Sequence, residues 1–303
     1  MDQYKMLPIL FIIIVGFEKR SSELVENCKQ YANDYEVLNQ FPFPMMVNPM
    51  LHSWDSNIAT MDKTNTFVSS LTLANTDSIV PESIFCLNKL VTLTIRNMAF
   101  TDGIVPDMLM NLQRLYSIDI INSSVANLTN HFASLTRLYS LNLNNCSLSH
   151  VPSLNNMPDL RHVYLENNRL SQIEGFRSDV DCLHVSNNLF TKIPTFTTPT
   201  SLAILRMNNN PLKDISTLDS FTYLAMLELR NTTLAFIPST IDKLQRLSHL
   251  DLSYNKLISL PKSIFKIKSL QYLYINNNLF SSDEVKRIQM EFNKTHPNIT
   301  LSI

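Results

Sequence analysis

The sequence predicts an α/β solenoid, a fold in which about ten short repeats stack side by side. The first observation is a spaced pattern, L-x-x-L-x-L-x-x-N-x-L, that recurs through residues 68–280. The second is the scarcity of glycine, which occurs only three times in 303 residues. The third is that the flanking segments 18–67 and 281–303 lack the pattern, as the terminal caps of a repeat array do.

Composition and charge exclude several classes of protein. Three scattered glycines cannot form the Gly-rich phosphate loop of a nucleotide-binding enzyme. A formal net charge of -1 gives no general electrostatic attraction to nucleic acid or to anionic lipid. The hydrophobic content of 45% is sufficient for a continuous core. We therefore expect a folded protein with no nucleic-acid partner.

The N-terminal residues have the composition of a secretory signal peptide. An apolar run over residues 6–17 follows a lysine, and it is shorter than the roughly 20 residues that a membrane-spanning helix needs. We predict that residues 1–17 form a signal peptide that is cleaved near Gly16. Two basic residues shortly after the run, Lys19 and Arg20, are unusual at such a site, so an uncleaved membrane anchor and a buried or interfacial segment remain as alternatives.

Ten copies of the pattern follow the predicted N-terminal cap. The clearest copy, LSHLDLSYNKLISLPKSIFKIKS, starts at Leu247, and the fourth and sixth positions are apolar in every copy. A single repeat cannot bury its apolar face, whereas a stack of repeats forms a continuous core. Successive copies begin 20 to 25 residues apart, at Val68, Leu90, Leu115, Leu138, Leu160, Val180, Leu202, Leu224, Leu247 and Leu270.

This pattern resembles the leucine-rich repeat family over about residues 68–280. The first two copies, with SIVPESIFCLNKL and DGIVPDMLMNLQRL, are similar to the plant-type class, and later copies such as ISLPKSIFKIKSL to the shorter typical class. The resemblance implies a horseshoe with a concave parallel β-sheet. The segment around Trp54 is similar to the N-terminal cap of plant-type repeats, but the cysteines that flank the tryptophan there are absent, so that disulfide is not expected.

The C-terminal cap, residues 281–303, is predicted to be a helix followed by a strand. Ser281 and Glu284 have the spacing of a capping box at the start of a helix. Apolar residues then recur on one helical face, at Val285, Ile288 and Phe292. The last six residues, NITLSI, alternate in polarity as a strand does.

The polar positions of the predicted sheet offer a surface for a partner. Side chains at positions two, three, five, seven and eight of each copy are expected on its solvent side. Small hydroxyl residues predominate there in the first two copies, whereas tyrosine, arginine, histidine and acidic residues appear from the third copy onward. Tyrosine and arginine are enriched in protein interfaces, so we expect a protein or peptide partner. The predicted contact residues are Tyr116, Tyr139, Arg161, His162, Tyr164, Asp181, His184, Arg206, Glu228, Arg230, His249, Asp251, Tyr272 and Tyr274.

Three reactive side chains come together on this predicted face. His162, Cys182 and His184, with Asp181 as a fourth ligand, have the donor types of a zinc site. Cys182 with His184 also has the composition of a nucleophile pair. However, an open sheet face has no lid to exclude water, and the sequence has no closely spaced Cys-x2-Cys pair. We therefore predict a non-enzymatic protein with no metal and no cofactor.

The cysteines and glycosylation motifs leave the cellular compartment open. If the chain is secreted, we expect a disulfide between Cys28 and Cys86, whereas Cys146 is expected to be buried at position nine. Six Asn-x-Ser/Thr motifs permit N-glycosylation without supporting secretion, at Asn122, Asn127, Asn145, Asn231, Asn293 and Asn298. A secreted or cell-surface recognition module is the leading prediction. The alternatives are attachment to a membrane by the N-terminal segment and an intracellular scaffold or regulatory subunit.

Overall fold

The computed structural model describes residues 28–48, 56–74, 78–174, 176, 180–197 and 201–303. The predicted signal peptide at residues 1–17 and the cap residue Trp54 lie outside these ranges. Among the described helices, none combines the length and the apolar character that crossing a membrane requires.

The described residues form fifteen β-strands and two α-helices. The strands are β1 (Met46–Val47), β2 (Ile58–Met61), β3 (Val68–Ala74), β4 (Thr92–Arg96), β5 (Ile104–Val105), β6 (Ser117–Ile121), β7 (Asn127–Leu128), β8 (Ser140–Asn142), β9 (His162–Tyr164), β10 (Cys182–His184), β11 (Ile204–Arg206), β12 (Met226–Glu228), β13 (His249–Asp251), β14 (Tyr272–Tyr274) and β15 (Thr300–Ser302). The helices are α1 (Asp34–Leu38) and α2 (Ser282–Thr295).

Thirteen of these strands form one open sheet, in the order β1-β2-β3-β4-β6-β8-β9-β10-β11-β12-β13-β14-β15. Ten of them, β3, β4, β6 and β8 to β14, correspond one to one to the ten sequence repeats. Each pairs with its neighbour in parallel, for example Leu183 with Leu205. This confirms the predicted solenoid with a concave parallel sheet. Between the described strands of this sheet, the one antiparallel pairing joins β2 to β3.

Short 3-10 helices return the chain along the opposite, convex side of the solenoid. Several follow a proline, because a residue without an N–H group suits a helix start; Pro261 precedes one and Pro238 another. These helices are Glu82–Cys86, Thr101–Gly103, Asp107–Asn111, Asn130–Ser134, Ser216–Ser220, Ser239–Lys243 and Lys262–Lys266. Between helices and sheet lies one continuous apolar core, in which the side chains at position four, such as Leu141 and Leu250, are fully buried.

The ninth position of repeats three to ten satisfies backbone groups in the turn after each strand. Asn210 donates through Nδ2 to the carbonyl oxygens of Val185 and Met207, both at 2.9 Å, and its Oδ1 accepts from the Phe190 N–H at 3.0 Å. A single buried amide thus joins two successive repeats, which meets the need of buried backbone groups for partners. Cys146 takes the same place with its thiol, which donates to the Ile120 carbonyl at 3.1 Å, and its expected burial is confirmed.

The eighth position has a different role, because its backbone is left-handed. In the nine copies where the structure describes this position, φ lies between 53° and 58°. Eight of the nine residues are asparagine, and the exception is Tyr254. Asparagine tolerates this conformation better than other non-glycine residues. This explains how the chain makes regular turns with so few glycines.

The N-terminal cap covers the first repeat with a short helix and a reversed strand. The Asp34 carboxylate, in the first turn of α1, accepts a hydrogen bond from the Val68 N–H at 2.7 Å, where β3 begins. Cys28 and Cys86 form a disulfide, with their Cα atoms 5.3 Å apart. The cap is therefore joined to the first repeat both by hydrogen bonding and covalently.

The C-terminal cap has the predicted helix and strand, but its capping box is only half formed. Ser281 Oγ accepts from the Glu284 N–H at 3.2 Å, as expected. The second bond of a capping box, in which the Glu284 carboxylate would accept from the Ser281 N–H, is not formed, because the carboxylate accepts instead from the Leu260 N–H at 2.9 Å and from Arg287 Nε at 2.7 Å. The hydrogen bond from Arg287 lowers the pKa of Glu284. The helix is thus fastened to the ninth repeat, and Phe292 is fully buried beneath it.

Candidate binding surface on the concave sheet

Aromatic rings from four neighbouring strands form a continuous array across the concave face. The rings of Tyr116 and Tyr139 stack in parallel, with centroids 4.8 Å apart and planes inclined by 6°. The Tyr139 ring lies 5.1 Å from that of His162, and Tyr164 meets His184 edge-on at 4.9 Å. The 4.8 Å spacing of Tyr116 and Tyr139 matches the separation of adjacent strands, about 4.8 Å, because these residues directly precede the paired strands β6 and β8. The structure therefore brings together five of the predicted contact residues.

His162 links two tyrosine hydroxyls within this aromatic array. Its Nε2 lies 3.3 Å from the Tyr139 hydroxyl, and its Nδ1 lies 3.5 Å from the Tyr164 hydroxyl. A neutral imidazole has one donor and one acceptor nitrogen, so one hydroxyl donates to the ring and the other accepts from it. These contacts hold the three rings in fixed positions relative to one another.

Cys182 and His184 are not the exposed surface residues that the sequence suggested. Cys182 is 5% exposed and His184 is 9% exposed, because larger neighbours such as Tyr164 pack over them. Cys182 Sγ and His184 Nε2 are hydrogen-bonded at 3.2 Å, and His184 Nδ1 lies 4.0 Å from Glu166 Oε1. His184 therefore supports the surface from below rather than presenting its ring to a partner.

The electrostatics of this pair oppose nucleophile chemistry. Burial raises the pKa of the Cys182 thiol, and burial lowers the pKa of His184 to about 4. Both groups are therefore neutral near pH 7, whereas a nucleophilic cysteine acts as a thiolate. Within the described ranges, no three His, Cys, Asp or Glu side chains are grouped so as to hold a metal ion.

A charged patch adjoins the aromatic array on the next two strands. Arg206 Nε lies 3.0 Å from Glu228 Oε1, an ionic contact across β11 and β12. Asn208 Nδ2 donates to the other oxygen of Glu228 at 2.8 Å. Both carboxylate oxygens of Glu228 are thus engaged, while the Arg206 side chain is 36% exposed. The arginine is the accessible member of this pair.

Arg230 is positioned by the exceptional tyrosine of the position-eight row. Its guanidinium carbon lies 3.9 Å from the centroid of the Tyr254 ring, a cation–π contact. Arg230 Nη1 also donates to Ser253 Oγ at 3.3 Å, and Asp251 Oδ1 accepts from that hydroxyl at 2.6 Å. These contacts fix an exposed arginine beside the Arg206–Glu228 pair.

A second group of rings lies at the C-terminal end of the face. The His249 ring lies 5.8 Å from that of Tyr272 and 5.4 Å from that of Tyr274. The aromatic array on repeats three to six and this group on repeats nine and ten are separated by the charged patch. The predicted residues Arg161 and Asp181 are half-buried at position two of the fifth and sixth repeats.

Three of the six predicted glycosylation sites belong to the position-eight row. Asn122, Asn145 and Asn231 are exposed, and Asn145 Nδ2 donates to Asn122 Oδ1 at 2.8 Å. Asn231 Nδ2 likewise donates to Asn209 Oδ1 at 2.9 Å. An N-glycan at Asn145 or Asn231 would therefore be attached to a nitrogen that already binds the neighbouring repeat. Of the remaining sites, Asn293 and Asn298 are exposed in the C-terminal cap, and Asn127 is in β7.

Comparison with protein families identifies the repeat. Residues 222–280, which include β12 to β14, match the family model described as Leucine rich repeat. The ten parallel strands extend the same architecture from β3 to β14. Residues 222–280 are therefore leucine-rich repeats, and the chain has the leucine-rich-repeat fold. No curated protein has a significantly similar sequence.

Solved leucine-rich-repeat structures share this fold at low sequence identity. The ectodomain of the plant membrane receptor kinase GASSHO1/SCHENGEN3 from Arabidopsis thaliana, in complex with CASPARIAN STRIP INTEGRITY FACTOR 2, has a TM-score of 0.59 and 22% identity over 73% of this chain and 28% of that one. The plant peptide hormone receptor RGFR1 in complex with RGF2 has a TM-score of 0.60 and 20% identity, covering 82% of this chain and 42% of that one. YopM from Yersinia enterocolitica has a TM-score of 0.54 and 25% identity, covering 69% and 42% respectively. This leucine-rich-repeat chain thus spans less than half the length of each of these three proteins.

Several residues that shape the surface were missed by sequence reasoning. Asn208, at position seven, donates a hydrogen bond to Glu228. Glu166, also at position seven, lies 4.0 Å from His184 Nδ1. Tyr254 was missed because position eight was treated only as a solvent-facing position. The recurrence of asparagine at that position, interrupted once by tyrosine, is the signal that would have found it.

Proposed function

We propose that this leucine-rich-repeat protein is a non-enzymatic recognition module that binds a protein or peptide partner on the concave face of repeats three to ten. The observation that carries the proposal is the row of positioned tyrosine, histidine and arginine side chains on an open sheet. Such residues provide large contact area at low entropic cost, because their rings and guanidinium groups are already packed in place. Recognition then requires no chemical step.

The size of the surface and the related folds support this proposal. Eight strands spaced by about 4.8 Å span roughly 35 Å, enough for an interface of standard size. The two plant receptors with this fold are described in complexes with CASPARIAN STRIP INTEGRITY FACTOR 2 and with RGF2. The neutral, buried state of Cys182 and His184 leaves this face without an activated nucleophile.

Charge reversal on the concave face tests the proposal. The triple variant Arg206→Glu, Glu228→Arg and Arg230→Glu keeps opposite charges at positions 206 and 228 while inverting the field that a partner meets. Immobilised wild-type protein should capture its partner from a preparation of extracellular proteins, and the triple variant should lose that capture with a nearly unchanged Tm. Polar patterns at interfaces fix partner and register, so reversal is strongly unfavourable.

The convex side offers a matched control for this experiment. Lys243 Nζ lies 2.7 Å from Asp219 Oδ2, and the double variant Lys243→Asp and Asp219→Lys exchanges their charges on the convex side. This variant should capture the partner as well as the wild type does. Undiminished capture by the concave triple variant would show that the partner binds elsewhere.

We further propose that the protein acts outside the cell or at its surface. The apolar N-terminal run and the Cys28–Cys86 disulfide support this location, because disulfides persist in oxidising compartments. Full-length protein expressed in a eukaryotic secretory host should reach the medium with Cys28 and Cys86 oxidised. Retention in the cytosol with four free thiols would instead favour the intracellular scaffold or regulatory subunit.

A further inference from the structure

The stack of parallel rings on the concave face ends at Tyr116, and we infer that an aromatic ring of a partner extends it by one member. The geometry points to a slot above Val91, against the open face of Tyr116, that receives one aromatic side chain of a protein or peptide partner. This inference rests on the proposed function and adds to it the chemistry of the partner residue.

The slot lies at the N-terminal end of the aromatic array. Tyr139 covers one face of the Tyr116 ring at a centroid distance of 4.8 Å. The next strand in the same direction places Val91 at the equivalent second position, and the Tyr116 N–H donates to the Val91 carbonyl at 2.8 Å. Valine is too short to reach the level of the tyrosine rings. The other face of Tyr116 therefore has no side chain of matching height beside it at position two of the second repeat.

Exposure of the two side chains agrees with this geometry. Tyr116 is 48% exposed and Val91 is 39% exposed, whereas Tyr139, in the middle of the stack, is less exposed than either. A ring inserted above Val91 at the spacing of the strands would continue the parallel stack by one member. It would bury apolar surface on both residues, and offset stacking with Tyr116 would add to that burial.

The surroundings of the slot favour an uncharged ring. Thr92, the residue after Val91, donates through its hydroxyl to Ser70 Oγ at 2.6 Å, so these two hydroxyls satisfy each other. The charged side chains on β4 and β6 are Arg96 and Asp119, which have opposite signs and attract each other. A neutral aromatic side chain meets no unbalanced charge from β4 or β6. The slot therefore takes a phenylalanine, tyrosine or tryptophan of the partner.

Selection of binders from a phage-displayed library of random 12-residue peptides tests this inference. Peptides selected on the wild-type protein should share one aromatic residue. Their affinity should fall about tenfold for the Val91→Tyr variant, whose new ring fills the slot; tenfold corresponds to about 1.4 kcal/mol. Changing the shared aromatic residue to alanine should cost a similar factor on the wild type and little further on this variant.

A second added tyrosine, outside the concave face, is the matched control. Gln245→Tyr adds a ring on the convex side, away from the slot, and should leave affinity for these peptides within about threefold, or about 0.7 kcal/mol. Equal Tm values for both variants and the wild type would show that each folds.

The outcomes separate the slot from the proposed function. Selected peptides that bind the wild type, lose binding to the triple charge variant and are indifferent to Val91→Tyr would overturn the slot alone. Enrichment of arginine in place of an aromatic residue would also overturn it, because a guanidinium can stack on Tyr116 as well. Peptides insensitive to both variants, or no enrichment at all, would count against the slot and the concave site together.

Discussion

Position eight of each repeat requires a residue that tolerates a left-handed backbone. Asparagine meets that requirement in eight of the nine described copies, and its side chains bind one another along the row, as Asn209 and Asn187 do at 2.7 Å. A tyrosine with φ of 58° at position 254 is strained by comparison, because it lacks the short polar side chain with which asparagine hydrogen-bonds locally in this conformation. The ring of Tyr254 makes a cation–π contact with the guanidinium of Arg230, which gives this strained residue a role on the binding surface.

Replacing this tyrosine should increase the stability of the fold and weaken partner binding. Asparagine keeps part of the left-handed strain, so the relief is worth less than about 1–2 kcal/mol, and loss of the cation–π contact costs about 0.5–1 kcal/mol. The Tyr254→Asn variant should therefore raise the free energy of unfolding by up to about 1 kcal/mol and weaken partner capture about fivefold. Urea unfolding and titration of the captured partner measure the two effects.

The reverse substitution in the same row is the control. Asn209→Tyr places a ring at a left-handed position that has an asparagine ladder, so it should lower the free energy of unfolding by about 1–2 kcal/mol. A destabilised Tyr254→Asn protein with full partner capture would contradict the role assigned to Tyr254.

At the scale of the elements, the repeats were predictable because their period is strict. Apolar residues at fixed spacings place each strand, so the ten concave strands from β3 to β14 fall where the pattern puts them. The helix α2 was predictable from its cap and its apolar face. The choice of partner by Glu284 was not, because it depends on the Leu260 N–H, which comes close only when the ninth repeat is folded.

The N-terminal cap shows where such a pattern stops being informative. The antiparallel pairing of β2 with β3 has no periodic signal in the sequence, since β2 is a short strand outside the repeat.

The burial of Cys182 and His184 was also unpredictable from alternation alone. Alternation places both side chains on the concave face. Whether they reach solvent depends on the sizes of the side chains on adjacent strands, which cover them here.

At the scale of the whole molecule, the solenoid turns a local pattern into an extended surface. Each repeat contacts mainly its neighbours, so a side chain at a given position recurs in a row along the face. The aromatic array and the C-terminal ring group flank the charged patch in this row. A partner that contacts all three regions would lie across the strands, along the axis of the solenoid.

Site-specific photo-crosslinking tests the concave-face assignment most directly. A benzophenone amino acid replaces Tyr139 on the concave face in one protein and Gln245, which is exposed after the 3-10 helix Ser239–Lys243 on the convex side, in another. Illumination of each protein with its captured partner should give a covalent adduct from position 139 and none from position 245. An adduct formed only from position 245 would contradict recognition by the concave face.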